Sequence, residues 1–327
     1  MNPSIAQTPT FRVSPFSPQF GCVLEAEPGS GLPSAASVMG LLAEHSAVLM
    51  RSFPFDLDAF IAFTDHCCTS FSKYVGGGIR FRALNRESLG AGGTVMSTTG
   101  STQAFPIPLH GEMYYQKQRP DVLWFYCQRA PAEHGQTTIA DGRLVFEGLS
   151  EDAKAQLRSR KLRYIRELAA EDWATSFMTE DVSELKRICD ENEMGLELRQ
   201  DGTARIEYID RAIFAANDGR EAFINSSILL WEFERALISG EAAKVLGGNA
   251  PTRPPFVVRW EDGSEISESL MREIDAAADT CTIRVKWRAG DVVLVDNRKI
   301  MHGRKKTVGN DRQILVRLGN LGEKLQG

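Results

Sequence analysis

The stretch DVLWFYCQ, residues 121–128, runs apolar from Val122 to Cys127 without a polar residue between them. A strand of that composition is stable only when both of its faces are covered, so the chain must fold in layers around it. The flanking residues 105–143 also read as β, and GQTTIADG (135–142) forms a second strand closed by turn residues. The end of the chain repeats the pattern in TIRVKW (282–287), DVVLVDN (291–297) and RQILVRLG (312–319). TARIEYI (203–209) alternates like a strand, and AVLMRSF (47–53) is a short apolar one. Helical spacing appears at 33–47 after Pro33, and at 56–68, where Phe60, Phe63 and Cys67 fall near one face. It returns at 150–195, whose segments open on acidic residues, at 226–246 and at 267–281. Residues 73–103, rich in Gly, Ser and Thr, read as loop with short strand pieces. Strands in the middle and at the end, with helices at the start and inserted between, predict an α+β fold, mainly β. The sheet or barrel is antiparallel rather than an alternating βαβ series.

Composition narrows the function. The 327 residues can bury a sizeable core as one large domain or two small ones. With 43% hydrophobic and 25% charged residues, the chain is ordinary for a soluble protein. A net charge of −5 gives no basic field for nucleic acid. No apolar run reaches the roughly eighteen residues of a membrane span. The first twenty residues lack a basic region followed by an apolar stretch, so no signal peptide is expected; residues 1–30 read as a loose arm. Six cysteines without CxxC spacing suggest buried, reduced thiols in a cytoplasmic protein. No GxGxxG or GxxxxGK[ST] phosphate loop is present.

The chemistry gathers around PLHGEMYY (108–115), where His110 and Glu112 stand two residues apart. In a strand, i and i+2 share a face, so an imidazole and a carboxylate could chelate one cation. Such a pair needs a third ligand, and the remaining histidines are His45, His66, His134 and His302. The first two lie in expected N-terminal helices, and His134 lies in a charged turn. His302 follows the apolar strand of GDVVLVDNRKIMHGR directly, which would hold it rigidly at a barrel mouth. Two histidines and one carboxylate on one side of a metal are the arrangement of non-haem Fe(II) oxygenases, with three positions left open. A 2-oxo acid cosubstrate would need a cation at its far carboxylate; Arg312 and Arg317 are the candidates, on opposite faces of a regular strand. Thr137 could add a hydroxyl donor. Asp296 and Asn297 could orient His302, or form a plain turn. Taken singly, each feature has a plainer reading: an exposed strand pair for His110 and Glu112, a surface arginine for Arg312.

Together, PLHGEMYY, GQTTIADGRLVFEGL, WRAGDVVLVDNRKIMHGR and DRQILVR resemble the TauD-like (taurine dioxygenase/clavaminate synthase-like) Fe(II)/2-oxoglutarate-dependent oxygenases, over most of residues 100–320. The resemblance implies a double-stranded β-helix, or jelly roll, with a helical N-terminal region and helical insertions. Residues 1–327 would then form one oxygenase domain, with 145–245 as a helical insertion or lid. It implies His110, Glu112 and His302 as iron ligands, 2-oxoglutarate and dioxygen as cosubstrates, and Arg312 with Thr137 at the distal carboxylate. Many relatives carry two arginines four apart; here they are five apart, which keeps Arg317 beside Arg312 as a candidate. Glutamate at the carboxylate position occurs in branches acting on amino acids or carrier-bound aminoacyl groups, and speaks against halogenation.

Hydroxylation of a small molecule, free or carrier-bound, is therefore expected, with desaturation or cyclisation open to the same residues. Arg80, Arg82, Ser97–Gln103 and FINSSILLW (223–231) could form a lid; Arg80 or Arg82 could meet a substrate carboxylate. Tyr114, Tyr115 and Trp231 could line the pocket, or pack in the core. A zinc hydrolase could use the same three ligands, and a non-catalytic β-barrel binding protein would need none of them.

Overall fold

A computed structural model describes residues 10–74, 88–98, 106–246, 253–308 and 312–322. Among them the fold is α+β with sheet predominating. Nine strands form a large sheet in the order Phe11–Pro15, Cys22–Ala26, Ala47–Arg51, Val292–Asp296, Val122–Arg129, Gln313–Asn320, Val95–Ser97, Ser88–Gly90, with Ser70–Phe71 pairing onto Gln313–Asn320. A four-stranded sheet faces it: Ile283–Val285, Thr137–Asp141, Ile300–Arg304, Ile107–His110.

The apolar strand Val122–Arg129 lies inside the large sheet, between Val292–Asp296 and Gln313–Asn320. Its side chains alternate between two cores. Leu123, Phe125 and Cys127 enter the core shared with the smaller sheet. Val122, Trp124 and Tyr126 enter a second core closed by the helices Ala35–His45 and Leu57–Cys67. Each helix opens on a side-chain cap: Ser34 accepts from the Ser37 amide and Asp56 from the Ala59 amide.

Several expectations change. The N-terminal arm is not loose from residue 11 on. Phe11–Pro15 and Cys22–Ala26 pair antiparallel, and Cys22–Ala26 runs parallel to Ala47–Arg51. Prolines and serines around these strands mask the burial of Cys22, Leu24 and Ala26. The span 150–195 is not wholly helical, because Lys161–Leu168 is a strand. It buries Leu162, Tyr164, Arg166 and Leu168, and the arginine in that buried row hides the alternation. That strand joins Gly195–Leu198, Ala204–Arg211 and the unforeseen Phe256–Trp260 in a third sheet, so 145–245 is mixed rather than helical. The stretch 226–246 is two helices, Ser227–Ile238 and Glu241–Leu246, broken at Gly240 with φ 76°. The six cysteines are all free thiols, and burial pushes Cys22 up to about 12 and Cys281 up to about 11, away from nucleophilic behaviour.

Candidate active site

His302 does not follow a strand but lies within Ile300–Arg304, directly opposite His110 at the end of Ile107–His110. Opposed residues on neighbouring strands share a face. The two imidazole centroids are 4.3 Å apart. Glu112 arrives by another route than the one expected. The strand ends at His110, and Glu112 sits in the turn that follows. Gly111 makes that turn possible, since a Cβ there would lie 2.5 Å from the Tyr114 ring. Its amide donates to the Asn225 carbonyl (2.8 Å), and its carbonyl accepts from the Ser226 hydroxyl (3.0 Å). Glu112 Oε2 then lies 3.4 Å from His302 Nε2. One ligand atom from each of His110, Glu112 and His302 falls within 4.8 Å of the others, and all three side chains are buried.

His110 Nδ1 lies 2.9 Å from the Pro108 carbonyl. Only a protonated Nδ1 can donate there, which leaves Nε2 as a bare lone pair. His302 Nδ1 is buried without a hydrogen-bonding partner among the described residues. Asp296 and Asn297 do not orient His302. Asp296 pairs with Arg298 and Lys299. Asn297 instead clamps Glu112: its Oδ1 accepts from the Glu112 amide (2.9 Å), and its Nδ2 donates to the carbonyls of Glu112 (3.1 Å) and Pro120 (2.8 Å).

Arg312 and Arg317 part company. Arg312 donates to the Gly135 carbonyl (2.9 Å), the Thr98 hydroxyl (3.1 Å) and the Thr137 hydroxyl (3.3 Å). Arg317 points to the other core, donating to Ile61 O (3.1 Å) and Thr64 Oγ1 (2.6 Å) and pairing with Asp65 (2.8 Å). Thr137 stands across from Arg304 in the register and Ile139 across from His302, so all four side chains share a face. Burial, then the neighbouring Arg304, pushes the Arg312 guanidinium down to about 9; burial pushes Arg304 down to about 10. Two guanidiniums, three hydroxyls or carbonyls and the three-ligand cluster thus lie on one inner surface.

Other candidates fall elsewhere. Tyr114 is buried and donates to the Asn297 carbonyl (3.0 Å), and Trp231 lies under the Arg235 guanidinium at 4.6 Å. Tyr115 packs against Phe256 at 5.3 Å. Phe223 to Ser226 are fully buried and fix Gly111, so that part of FINSSILLW is wall rather than flap. Arg80, Arg82 and most of Ser97–Gln103 lie outside the described residues. Sequence reasoning missed Arg304 and Trp287, whose indole N–H donates to the Thr137 hydroxyl (3.1 Å), and it included Thr98 only within a candidate lid. The signal for Arg304 was its position two residues past His302.

The family model for taurine catabolism dioxygenase TauD, TfdA family, matches residues 13–318. The chain belongs to that family. As a member of the TauD, TfdA family it is a dioxygenase, an oxidoreductase, and the cofactors of this class are Fe(II), 2-oxoglutarate and dioxygen. A clavaminate synthase-like protein of Arabidopsis thaliana is 26% identical over 283 residues, 81% of this chain and 79% of its own. Dapdiamide synthesis protein DdaC of Enterobacter agglomerans is 25% identical over 282 residues, 85% of this chain and 83% of its own. PvcB from Pseudomonas aeruginosa shares the fold at TM-score 0.57 and 17% identity, over 98% of this chain and 94% of that one. A taurine dioxygenase from Burkholderia xenovorans does so at TM-score 0.56 and 16% identity, over 95% and 90%. The donor set in this TauD, TfdA family member fits a ferrous ion: two imidazoles and one carboxylate converge from one side, and the His110 tautomer presents a lone pair.

Proposed function

We propose that the chain is a single oxygenase domain, built on a double-stranded β-helix, that hydroxylates an unactivated C–H bond of a small molecule. The substrate class we favour is an amino acid or aminoacyl derivative of specialised metabolism, free or tethered to a carrier. The observation that carries the reaction class is the buried convergence of His110, Glu112 and His302, within 4.8 Å of one another. In this reading those three side chains hold Fe(II) and leave three positions for cosubstrate and dioxygen. When bound, the metal with 2-oxoglutarate supplies the oxidising power that side chains lack. The chain's own part is positional. Asn297 and the Gly111 turn fix the Glu112 carboxylate, Pro108 fixes the His110 tautomer, and Arg312 with Thr137 anchors the distal carboxylate of 2-oxoglutarate. Phe125, its ring centroid 5.4 Å from that of His302, helps exclude water. Glu112 fills the position that a halide would need vacant, which argues against halogenation. A zinc hydrolase would have no use for the Arg312 and Thr137 pair.

The amino-acid reading is supported by glutamate at the carboxylate position. It is also supported by likeness to a protein named for dapdiamide synthesis and to PvcB, described as an Fe, alpha-ketoglutarate dependent oxygenase from an isonitrile synthetic pathway. Anaerobic addition of Fe(II) and 2-oxoglutarate should give a weak visible absorption that the His302→Ala protein lacks. Equal absorption in both proteins would overturn the ligand set. Screening free and carrier-bound aminoacyl compounds for stimulated succinate release then tests the substrate class. Product mass separates hydroxylation, a gain of one oxygen, from desaturation or cyclisation, a loss of two hydrogens.

A further inference from the structure

The Thr137 hydroxyl has two neighbours that can only give. Trp287 Nε1 donates to Thr137 Oγ1 at 3.1 Å, and Arg312 Nη2 donates to the same oxygen at 3.3 Å. A threonine hydroxyl has two lone pairs and one proton. Both lone pairs are taken, so the hydroxyl can act only as a donor, and no described residue takes its proton. At 3% exposure Thr137 cannot leave that proton to bulk water. Neither neighbour can exchange roles, because an indole N–H and a guanidinium lack acceptors. The natural partner for the stranded proton is an acceptor-only oxygen, and a carboxylate makes the strongest such bond.

The strands explain how Trp287 reaches this place. Val285 pairs with Thr137 across the sheet, and Trp287 lies two residues on, with its indole buried. We infer that the Trp287 N–H is a positioning group for the cosubstrate: with Arg312 it saturates the Thr137 oxygen and so aims the Thr137 proton at the distal carboxylate. This rests on the reading of Arg312 and Thr137 as the anchor for 2-oxoglutarate. Trp287 touches neither metal ligand nor cosubstrate in this scheme; it acts through Thr137 alone.

The test is equilibrium binding to the Fe(II)-loaded protein without oxygen, read by the visible absorption and by calorimetry. Two cosubstrates are compared: 2-oxoglutarate, and 2-oxopentanoate, which lacks the distal carboxylate. Trp287→Phe should weaken 2-oxoglutarate binding about five- to tenfold, the worth of one oriented hydrogen bond. It should leave 2-oxopentanoate binding unchanged and raise KM for 2-oxoglutarate with kcat within about twofold. In a Thr137→Val background the Trp287→Phe change should have no further effect. Where the phenylalanine protein folds poorly, benzothienylalanine at position 287 replaces the N–H by sulfur at constant shape, with the same expectations. Unchanged 2-oxoglutarate binding, equal loss for both 2-oxo acids, or additivity with Thr137→Val would each overturn the role of Trp287. If Arg312→Met binds 2-oxoglutarate as the wild type does, the anchor reading itself fails and takes this inference with it. If Arg312→Met fails to bind while Trp287→Phe binds normally, only the role of Trp287 falls.

Discussion

The same strands build two interiors that do opposite things. On Val122–Arg129 and Gln313–Asn320, one set of alternate residues faces the two helices and the other faces the smaller sheet. The helix side is a wall of aromatics: Trp124 meets Phe63 edge-on at 5.9 Å, and Tyr126 stacks on Phe60 at 5.2 Å. Its deep cation among the described residues, Arg317, is tied to Asp65, Thr64 and a helix carbonyl. The sheet side has equal burial but carries Glu112, His302, Arg304, Arg312 and Thr137. Burial therefore does not distinguish the site; what the buried polar groups face does. One interior is finished by the fold, while the other gathers two imidazoles, a carboxylate and two guanidiniums on its inner surface.

Changes on the two sides should separate function from stability. His302→Ala, on the sheet side, should cut turnover by about a thousandfold or more, on the order of 4 kcal/mol of transition-state stabilisation. Iron content of the purified protein should fall with it, while the denaturant midpoint moves little. Trp124→Ala, on the helix side, should do the reverse. Emptying a fully buried indole site costs about 3–5 kcal/mol of folding free energy, read as a lower denaturant midpoint. Iron affinity of the folded fraction should stay within about twofold of wild type. A Trp124→Ala protein that folds normally but loses iron would erase the distinction.

Arg312 and Arg317 sharpen it further, since both are 3% exposed, Arg317 within the strand Gln313–Asn320 and Arg312 immediately before it. Arg312→Met should weaken 2-oxoglutarate binding by about 2–5 kcal/mol, measured by titration. The fold holds the Arg312 guanidinium down at about 9 because burial and Arg304 disfavour its charge. That depression costs stability in full at neutral pH, but Arg312→Met also strands the Gly135 carbonyl and the Thr98 and Thr137 hydroxyls, so the two effects oppose and the methionine protein should stay within about 1–2 kcal/mol of wild type. Arg317→Met should instead lower stability by about 1–3 kcal/mol, chiefly through the stranded Ile61 carbonyl and Thr64 hydroxyl. Asp65 is 52% exposed on its side chain, so the ion pair itself adds little.

Much of this was legible in the chain because it rests on short periods. Six apolar residues in a row demanded two covered faces, and the alternation on 312–319 placed Arg312 and Arg317 on opposite sides before any coordinates did. The scarcity of histidine singled out His302, which the fold does bring together with His110 and Glu112. What stayed hidden depended on turns and distant contacts. The i, i+2 argument brought Glu112 to the right place for the wrong reason, because a glycine turn, not a strand face, aims it. Lys161–Leu168 was lost because Arg166 occupies a buried position that alternation reserves for apolar residues. Trp287 could not be linked to Thr137 without the pairing of Val285 and Thr137, about 150 residues apart in sequence.

Asn297 offers the finest test, because it joins the two interiors. It directly follows the strand Val292–Asp296, whose valines and leucine are shared between both cores, and its side chain reaches the Glu112 turn. Asn297→Ala removes one acceptor and two donors from a backbone that is otherwise buried, leaving the Glu112 amide and the Pro120 carbonyl to find new partners. The carboxylate would still exist, but its approach to His302 would no longer be fixed. Iron affinity should fall about ten- to a hundredfold, the usual cost of losing a group that orients a ligand. Asn297→Asp keeps the acceptor for the Glu112 amide but brings a carboxylate up to two carbonyl oxygens, so it should rescue little. If instead iron binds normally to Asn297→Ala and only the denaturant midpoint drops, the turn is held by Gly111, Asn225 and Ser226 alone. Asn297 would then belong with Trp124 and Arg317 as a residue that closes the fold.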